Sequence, residues 1–241
     1  MDVALITGGN AGIGEAVVRL LAKTPNFHVI IGSRRLESGN ELANSLKEQG
    51  YSVSAIQLDI ASDDSIDKAI EEIANNHGKL DVLVNNAGVL LDTHQDAFVS
   101  TRDLFSQTFN TNVFGTAALT EAALPLLQKG NHPRVVFVSS TMGSLAVSGD
   151  PTTFFYNVDY KAYDASKAAV NMLAVNYARI LKPYGGVSNA ICPGLVKTKM
   201  TGFIDAGTPV EVGAERIVQL ATAAPGGPSG TFSNKDGPIP W

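Results

Sequence analysis

The sequence predicts a doubly wound α/β fold, a parallel sheet covered by helices on both faces. Short β-branched or aliphatic runs alternate with longer amphipathic stretches along the chain. Runs that are apolar almost throughout read as strands buried on both sides. The order is strand then helix, repeated, which builds parallel βαβ units. Across the 241 residues no Pro/Gly-rich linker occurs before about residue 225, so 1–241 reads as a single domain.

Six strands are visible directly, at Val3–Ile6, His28–Ile31, Val53–Leu58, Val82–Val84, Val135–Val138 and Val187–Ile191, within a sheet of about seven parallel strands. The first helix spans Ala11–Lys23, with Ile13, Ala16, Val17, Leu20 and Leu21 at helical spacing. The second, Leu36–Gln49, stops at Gly50. In the third, Ser62–His77, Ser62 is placed as N-cap and Asp63 and Asp64 suit the positive helix end. Longer helices are expected over 101–129 and 160–181; Pro183 and Gly185–Gly186 follow the latter.

Composition excludes several function classes. The net charge is −5, with 44% hydrophobic and 17% charged residues, and mean hydropathy is +0.08. No apolar stretch approaches the ~18 residues of a bilayer span, and MDVALITGG lacks the features of a signal peptide. Lone Cys192 cannot form an internal disulfide. With no Lys/Arg cluster, neither nucleic acid nor membrane is expected as a partner, and the reading is a cytoplasmic protein. His28, His77, His94 and His132 are scattered and read mostly as surface or turn residues, so no metal is expected. There is no Gly-x-Ser-x-Gly elbow of a serine hydrolase.

Thr7-Gly8-Gly9-Asn10-Ala11-Gly12-Ile13-Gly14 joins the first strand to the first helix. Glycines at a βα junction let backbone approach a pyrophosphate, and the helix N-terminus favours the anion. No Gly-Lys-Ser/Thr closes the turn, which sets it apart from the phosphate loops of NTPases. Where a carboxylate would read the ribose of NAD, this chain has Gly32-Ser33-Arg34-Arg35. An arginine there pairs with a 2′-phosphate that an acid would repel. The cofactor is therefore read as NADPH/NADP+, held by Ser33 and Arg34, with NADH as the weaker alternative; Arg35 is read as a solvent residue.

Further motifs follow in a fixed order: Leu58-Asp59-Ile60, Asn85-Asn86-Ala87-Gly88, Asn112-x-x-Gly115, Ser139-Ser140, Tyr163-x-x-x-Lys167 and Pro193-Gly194. Together with Thr7–Gly14 this set resembles the short-chain dehydrogenase/reductase family along nearly the whole chain, and the closing Gly230–Trp241 resembles its carbonyl-reductase-like members. The resemblance implies a Rossmann-like fold. It implies cofactor contacts from Gly8, Asn10, Gly12, Ile13, Gly14, Asp59, Ile60, Asn86, Ala87, Gly88, Pro193, Gly194, Val196 and Thr198. It also implies catalysis by Asn112, Ser140, Tyr163 and Lys167. Asn112 would hold a water leading to Lys167, Lys167 would hold the nicotinamide ribose, and Ser140, rather than Ser139, would bind the substrate oxygen.

Residues four apart share a helix face, so Tyr163 and Lys167 are expected side by side. A cation ~4 Å from the phenol at an effective dielectric of ~20 is worth about 4 kcal/mol, or roughly three pKa units. On that reading Lys167 acidifies Tyr163, making it a general acid for ketone reduction and a general base for alcohol oxidation. Residues 199–210 read as a flap over the substrate.

Two departures from the family pattern stand out. Ala11 replaces the basic residue that some NADP-preferring relatives carry before Gly12. The Ser140-to-Tyr163 interval is about ten residues long for the family, which marks Asp150–Asp159 as an insertion. Its Phe154, Phe155 and Tyr156 line an apolar pocket, pack on the surface or cover a subunit face; monomer and homo-oligomer both stay open. The reading is an NADPH-dependent carbonyl reductase acting on a small-molecule carbonyl or alcohol. An alcohol dehydrogenase working in oxidation and a catalytically silent dinucleotide-binding regulator are the alternatives.

Overall fold

The computed structural model describes residues 1–241, the side chains of Gln95 and Asp96 excepted. The first half runs β1 (Asp2–Thr7), α1 (Gly12–Ala22), β2 (Phe27–Ser33), α2 (Leu36–Glu48), β3 (Val53–Gln57), α3 (Asp63–His77) and β4 (Val82–Asn85). It continues with α4 (Thr101–Phe109), a π-helical turn (Asn110–Gly115), α5 (Thr116–Leu127), β5 (Arg134–Val138) and α6 (Leu145–Ser148). The last part holds α7 (Lys161–Leu181), β6 (Val187–Ile191), α8 (Val210–Ala221), β7 (Phe232–Asn234) and β8 (Gly237–Pro238).

The strands form one sheet in the order β3-β2-β1-β4-β5-β6-β7-β8. β1 to β7 are parallel, as expected; the two-residue β8 is an antiparallel addition that hairpins back onto β7. Side-chain alternation along β1 explains the two layers of helix. Val3 and Leu5 join a core with α3, α5 and α7, while Ala4 and Ile6 join another with α1, α2 and α8. Both faces are buried, which is why the strand runs are uniformly apolar.

Chain order reverses between β1 and β4: the first three strands step one way and the fourth returns to β1's other edge. Ligand crevices in such sheets open at this point, beyond the carboxyl ends of the strands. The Gly-rich turn leaves β1 there and Asn85-Asn86-Ala87-Gly88 leaves β4 beside it.

Helix ends follow the sequence signals. Ser62 caps α3 by accepting from the Ser65 amide, and Gly78 ends it in the left-handed region. The helix expected over 101–129 is instead interrupted by the π-helical turn, which places Asn112 in a widened turn. Gly115 closes that turn against the end of β3's loop: a Cβ there would lie 2.0 Å from the Ile60 carbonyl oxygen. The histidine reading needs a correction, because His132 is buried and bonds the Gly185 carbonyl at 2.7 Å through Nδ1. Cys192 is free and buried. No helix among the described residues is long and apolar enough to cross a membrane.

Candidate active site

The glycines of the first turn are required by geometry. Gly8 and Gly12 have φ of +61° and +56°, values that glycine adopts without cost. A Cβ on Gly14 would stand 2.3 Å from the Gly8 carbonyl oxygen and 2.6 Å from Asn86 Nδ2. No side chain caps α1, whose N-cap is Ala11, so its first N–H groups stay available to an anion. Thr198 lies over this turn, with its Cγ2 3.6 Å from where a Gly12 Cβ would be. The loop after β6 and the loop after β1 are therefore neighbours at the carboxyl end of the sheet.

The second wall segment is the loop after β4. Asn86 Nδ2 donates to the Thr7 carbonyl at 2.8 Å, and the Asn86 and Ala87 amides donate to Thr7 Oγ1 at 2.9 and 2.8 Å. Three residues on, Asn112 holds Val89 by its backbone, accepting from the amide at 2.8 Å and donating to the carbonyl at 2.9 Å. Asn112 also donates to Ser166 Oγ at 2.9 Å, which ties this loop to α7. Both amide protons of Asn112 are thus engaged by protein. Gly88 leaves room beside Lys167, whose Nζ would be 3.5 Å from an added Cβ.

At the end of β2, Arg34 and Arg35 are exposed, and among the described residues neither makes an ion pair. Ser33 is placed differently from expectation. It is buried and its hydroxyl donates to the Arg35 carbonyl at 2.8 Å. Ser38 donates to the same carbonyl at 2.9 Å and accepts from Asn10 Nδ2 at 3.1 Å. Asp59 Oδ1 accepts from the Ala61 amide at 3.0 Å, and Ile60 is buried.

Tyr163 and Lys167 occupy one face of α7, 9% and 5% exposed. Lys167 Nζ lies 5.5 Å from the Tyr163 ring centroid and donates to the Val138 carbonyl at 2.8 Å. The Tyr163 phenol is hydrogen-bonded to the Ser140 side chain, so the second serine of the pair faces the tyrosine while Ser139 turns away and donates to the Lys167 carbonyl at 3.2 Å. The electrostatics correct one expectation. Burial first, then the nearby Cys192 and Asp164, holds the Tyr163 phenol above its ordinary value, and only the Ser140 bond works the other way. Burial also pushes the Lys167 ammonium down to about 8, against a small opposing effect of Cys192. Desolvation is the largest influence on both buried groups; the chain's own charges do not acidify the phenol.

Several supporting residues gave no signal in the sequence. Gly143 packs on α7 so closely that a Cβ would lie 2.6 Å from the Lys167 carbonyl carbon, and its own carbonyl accepts from Asn171 Nδ2 at 3.1 Å. Asp92, 3% exposed, accepts from the Ala162 and Tyr163 amides at 2.9 and 3.1 Å. The spacing of apolar residues registers none of these, because each is a polar or glycine contact made across the fold.

Two segments border the crevice. The loop after β6 carries Pro193, Gly194, Val196 and Thr198, with Val196 bridged to Thr208 at its base. Residues 199–209 make a short helical turn and a bend, and α8 begins at Val210. The insertion holds a one-turn helix, Phe154–Asn157, in which Phe154 is 81% exposed and packs edge-on against Phe155.

The family model described as short chain dehydrogenase matches residues 2–208. The chain belongs to that family. Short-chain dehydrogenases are oxidoreductases that bind NAD or NADP and act on small molecules, and the present crevice meets those demands. Its glycine turn leads into a helix whose N-terminus no side chain caps, and Tyr163 and Lys167 are buried on α7. Among curated relatives, a short-chain dehydrogenase/reductase, ATR10, from Stachybotrys chlorohalonatus is 39% identical over 250 residues, covering 98% of this chain and 89% of its own. The structure of salutaridine reductase from Papaver somniferum shares 28% identity with a TM-score of 0.80, covering 98% of this chain and all of its own. An NADPH-bound carbonyl reductase from chicken fatty liver shares 25% identity with a TM-score of 0.84, over the full length of both chains.

Proposed function

We propose that this protein reduces an aldehyde or ketone to the alcohol with NADPH, with Tyr163 as the proton donor. One observation carries the reading: a phenol kept protonated by burial, hydrogen-bonded to Ser140 and backed by Lys167, at the mouth of a dinucleotide crevice. The protonated phenol is the form from which carbonyl reduction starts, whereas alcohol oxidation requires the phenol to lose its proton first. Ser140 binds the carbonyl oxygen and holds it against the phenol. As the proton leaves, the Lys167 ammonium, 5.5 Å from the ring centroid, stabilises the negative charge that develops on the phenol.

NADPH, when bound, supplies the hydride. Gly8, Asn10, Gly12, Ile13 and Gly14 would hold its pyrophosphate; Asp59, Ile60, Asn86, Ala87 and Gly88 its adenosine and inner ribose side. Pro193, Gly194, Val196, Thr198 and Lys167 would hold the nicotinamide end. Exposed Arg34, with no acid beside it on β2, is the reason to choose the phosphorylated cofactor. The chicken carbonyl reductase is similar in fold and is described with NADPH bound, which supports the same choice.

The rim of the crevice suits a bulky apolar carbonyl compound. Leu145, Phe154 and Tyr156, in the stretch between Ser140 and Tyr163, and Leu195, Met200 and Phe203, in the stretch after β6, are all exposed. Exposed apolar side chains in the segments that follow β5 and β6, the strands that end at the crevice, are the surface such a ligand would cover. The test is a titration of NADPH followed by NADPH oxidation on a panel of aromatic, alicyclic and small polar carbonyls. Turnover concentrated in the bulky apolar members is expected, and Tyr163→Phe is expected to bind NADPH normally while losing at least ~100-fold in turnover. Tight cofactor binding with no turnover on any carbonyl, or full activity in Tyr163→Phe, overturns the proposal.

A further inference from the structure

Tyr163 is the third residue of α7, within the turn where a helix lacks its own hydrogen-bond acceptors. The N-cap position, Tyr160, supplies no side-chain acceptor. The missing acceptors come from 70 residues earlier in the chain. Asp92 presents Oδ1 to the Ala162 amide and Oδ2 to the Tyr163 amide, and it is almost fully buried in doing so. We propose that Asp92 is a positioning residue for the reduction, fixing the first turn of α7 so that Tyr163 stands correctly over the crevice.

Three features of the structure support this. The acceptor is a carboxylate at the positive end of a 21-residue helix, where negative charge is favoured. Its loop is itself anchored, through Asn86 to the Gly-rich turn and through Val89 to Asn112. Asp92 thus joins the wall that binds cofactor to the helix that carries the acid. Lys167, one turn further on, is fixed separately by Val138, Ser139 and Gly143. Loss of Asp92 therefore moves the tyrosine relative to the lysine rather than shifting both. A displacement of about 1 Å at a reacting group costs on the order of 10²-fold in rate.

The inference rests on Tyr163 being the proton donor, and a mutant cycle separates the two ideas. Asp92→Ala removes both acceptors; Asp92→Asn keeps one. With NADPH and the best carbonyl of the panel, Asp92→Ala is expected to lose roughly 10- to 100-fold in kcat, with the NADPH dissociation constant within about twofold of wild type. Asp92→Asn should fall between. In the Tyr163→Phe background, Asp92→Ala should add almost nothing, because the group it positions is gone. Unchanged kcat in Asp92→Ala, or a loss that multiplies fully with that of Tyr163→Phe, sinks the positioning role. Should Asp92→Ala not fold, the same cycle with Asp92→Asn decides it. Full turnover in Tyr163→Phe alone instead overturns the assignment of the proton donor.

Discussion

Lys167 and Tyr163 share one face of α7, the ammonium 5.5 Å from the centroid of the phenol ring and donating to the Val138 carbonyl. Both groups are displaced toward neutrality by burial, the phenol upward and the ammonium down to about 8. The pair is an uncharged acid beside an ammonium that keeps most of its charge near pH 7 and loses it above about pH 8.

The first prediction is a pH profile. The phenol holds its proton across the accessible range, so the reductive rate is governed by the charge on Lys167. The reductive kcat/KM should be level below about pH 8 and fall above it, as the ammonium that supports the departing proton is lost. Lys167→Met should erase that limb along with most of the activity. A wild-type profile that is flat to pH 10 would show that the lysine charge has no part in the step.

The second concerns the cofactor turn. A methyl group on Gly14 would sit 2.3 Å from the Gly8 carbonyl oxygen, and backbone cannot yield there as a flexible side chain would. Gly14→Ala is expected to abolish NADPH binding and to lower the free energy of unfolding by about 1–3 kcal/mol through overpacking. Gly50→Ala is the control: nothing lies within 4 Å of its Cβ and its φ is +88°, so any cost there is conformational and leaves cofactor affinity alone.

The third separates NADPH from NADH. Arg34 is exposed at the end of β2, so a charge-assisted bond to a 2′-phosphate is worth about 1.5 kcal/mol, the low end of its range. Arg34→Ala should raise KM for NADPH about tenfold and leave KM for NADH nearly unchanged. An equal rise for both cofactors refutes the phosphate contact.

The sheet and its helices were legible because burial on both faces writes itself into sequence as apolar runs. Val3, Ala4, Leu5 and Ile6 all point into one core or the other. The glycine turn was legible because its backbone geometry demands glycine, and the Tyr163–Lys167 pair because it matches a family motif at a spacing that puts both on one helix face. What stayed hidden depends on distant contacts. The π turn at Asn112 ends at Gly115, which meets the Ile60 carbonyl too closely for any side chain, and Asp92 caps a helix that begins 69 residues later. Ser33 has the right position for a ribose contact, yet its hydroxyl is drawn inward by the Arg35 carbonyl. The sign of the tyrosine shift was hidden for another reason: spacing reveals the cation, whereas desolvation depends on how deeply the fold buries both partners.

The last prediction uses Asp164, the residue after the tyrosine. Its Oδ1 is buried with no hydrogen-bond partner. Burial, then the Asp92 and Asp159 carboxylates, pushes its carboxyl up to about 7. In the unfolded chain the same group titrates near 3.8. Between those values the folded protein binds more protons than the unfolded one, so this residue makes stability fall as pH rises, and the whole penalty is present above about pH 7. Asp164→Asn cannot ionise. Its unfolding midpoint should match wild type near pH 4 and exceed it increasingly up to pH 7, with a constant difference above. Because an ionised Asp164 also raises the Tyr163 phenol, the variant should begin alcohol oxidation at lower pH than wild type. A midpoint difference that is the same at pH 4 and pH 8 would mean that the carboxyl titrates normally and that its buried oxygen has a partner in solution.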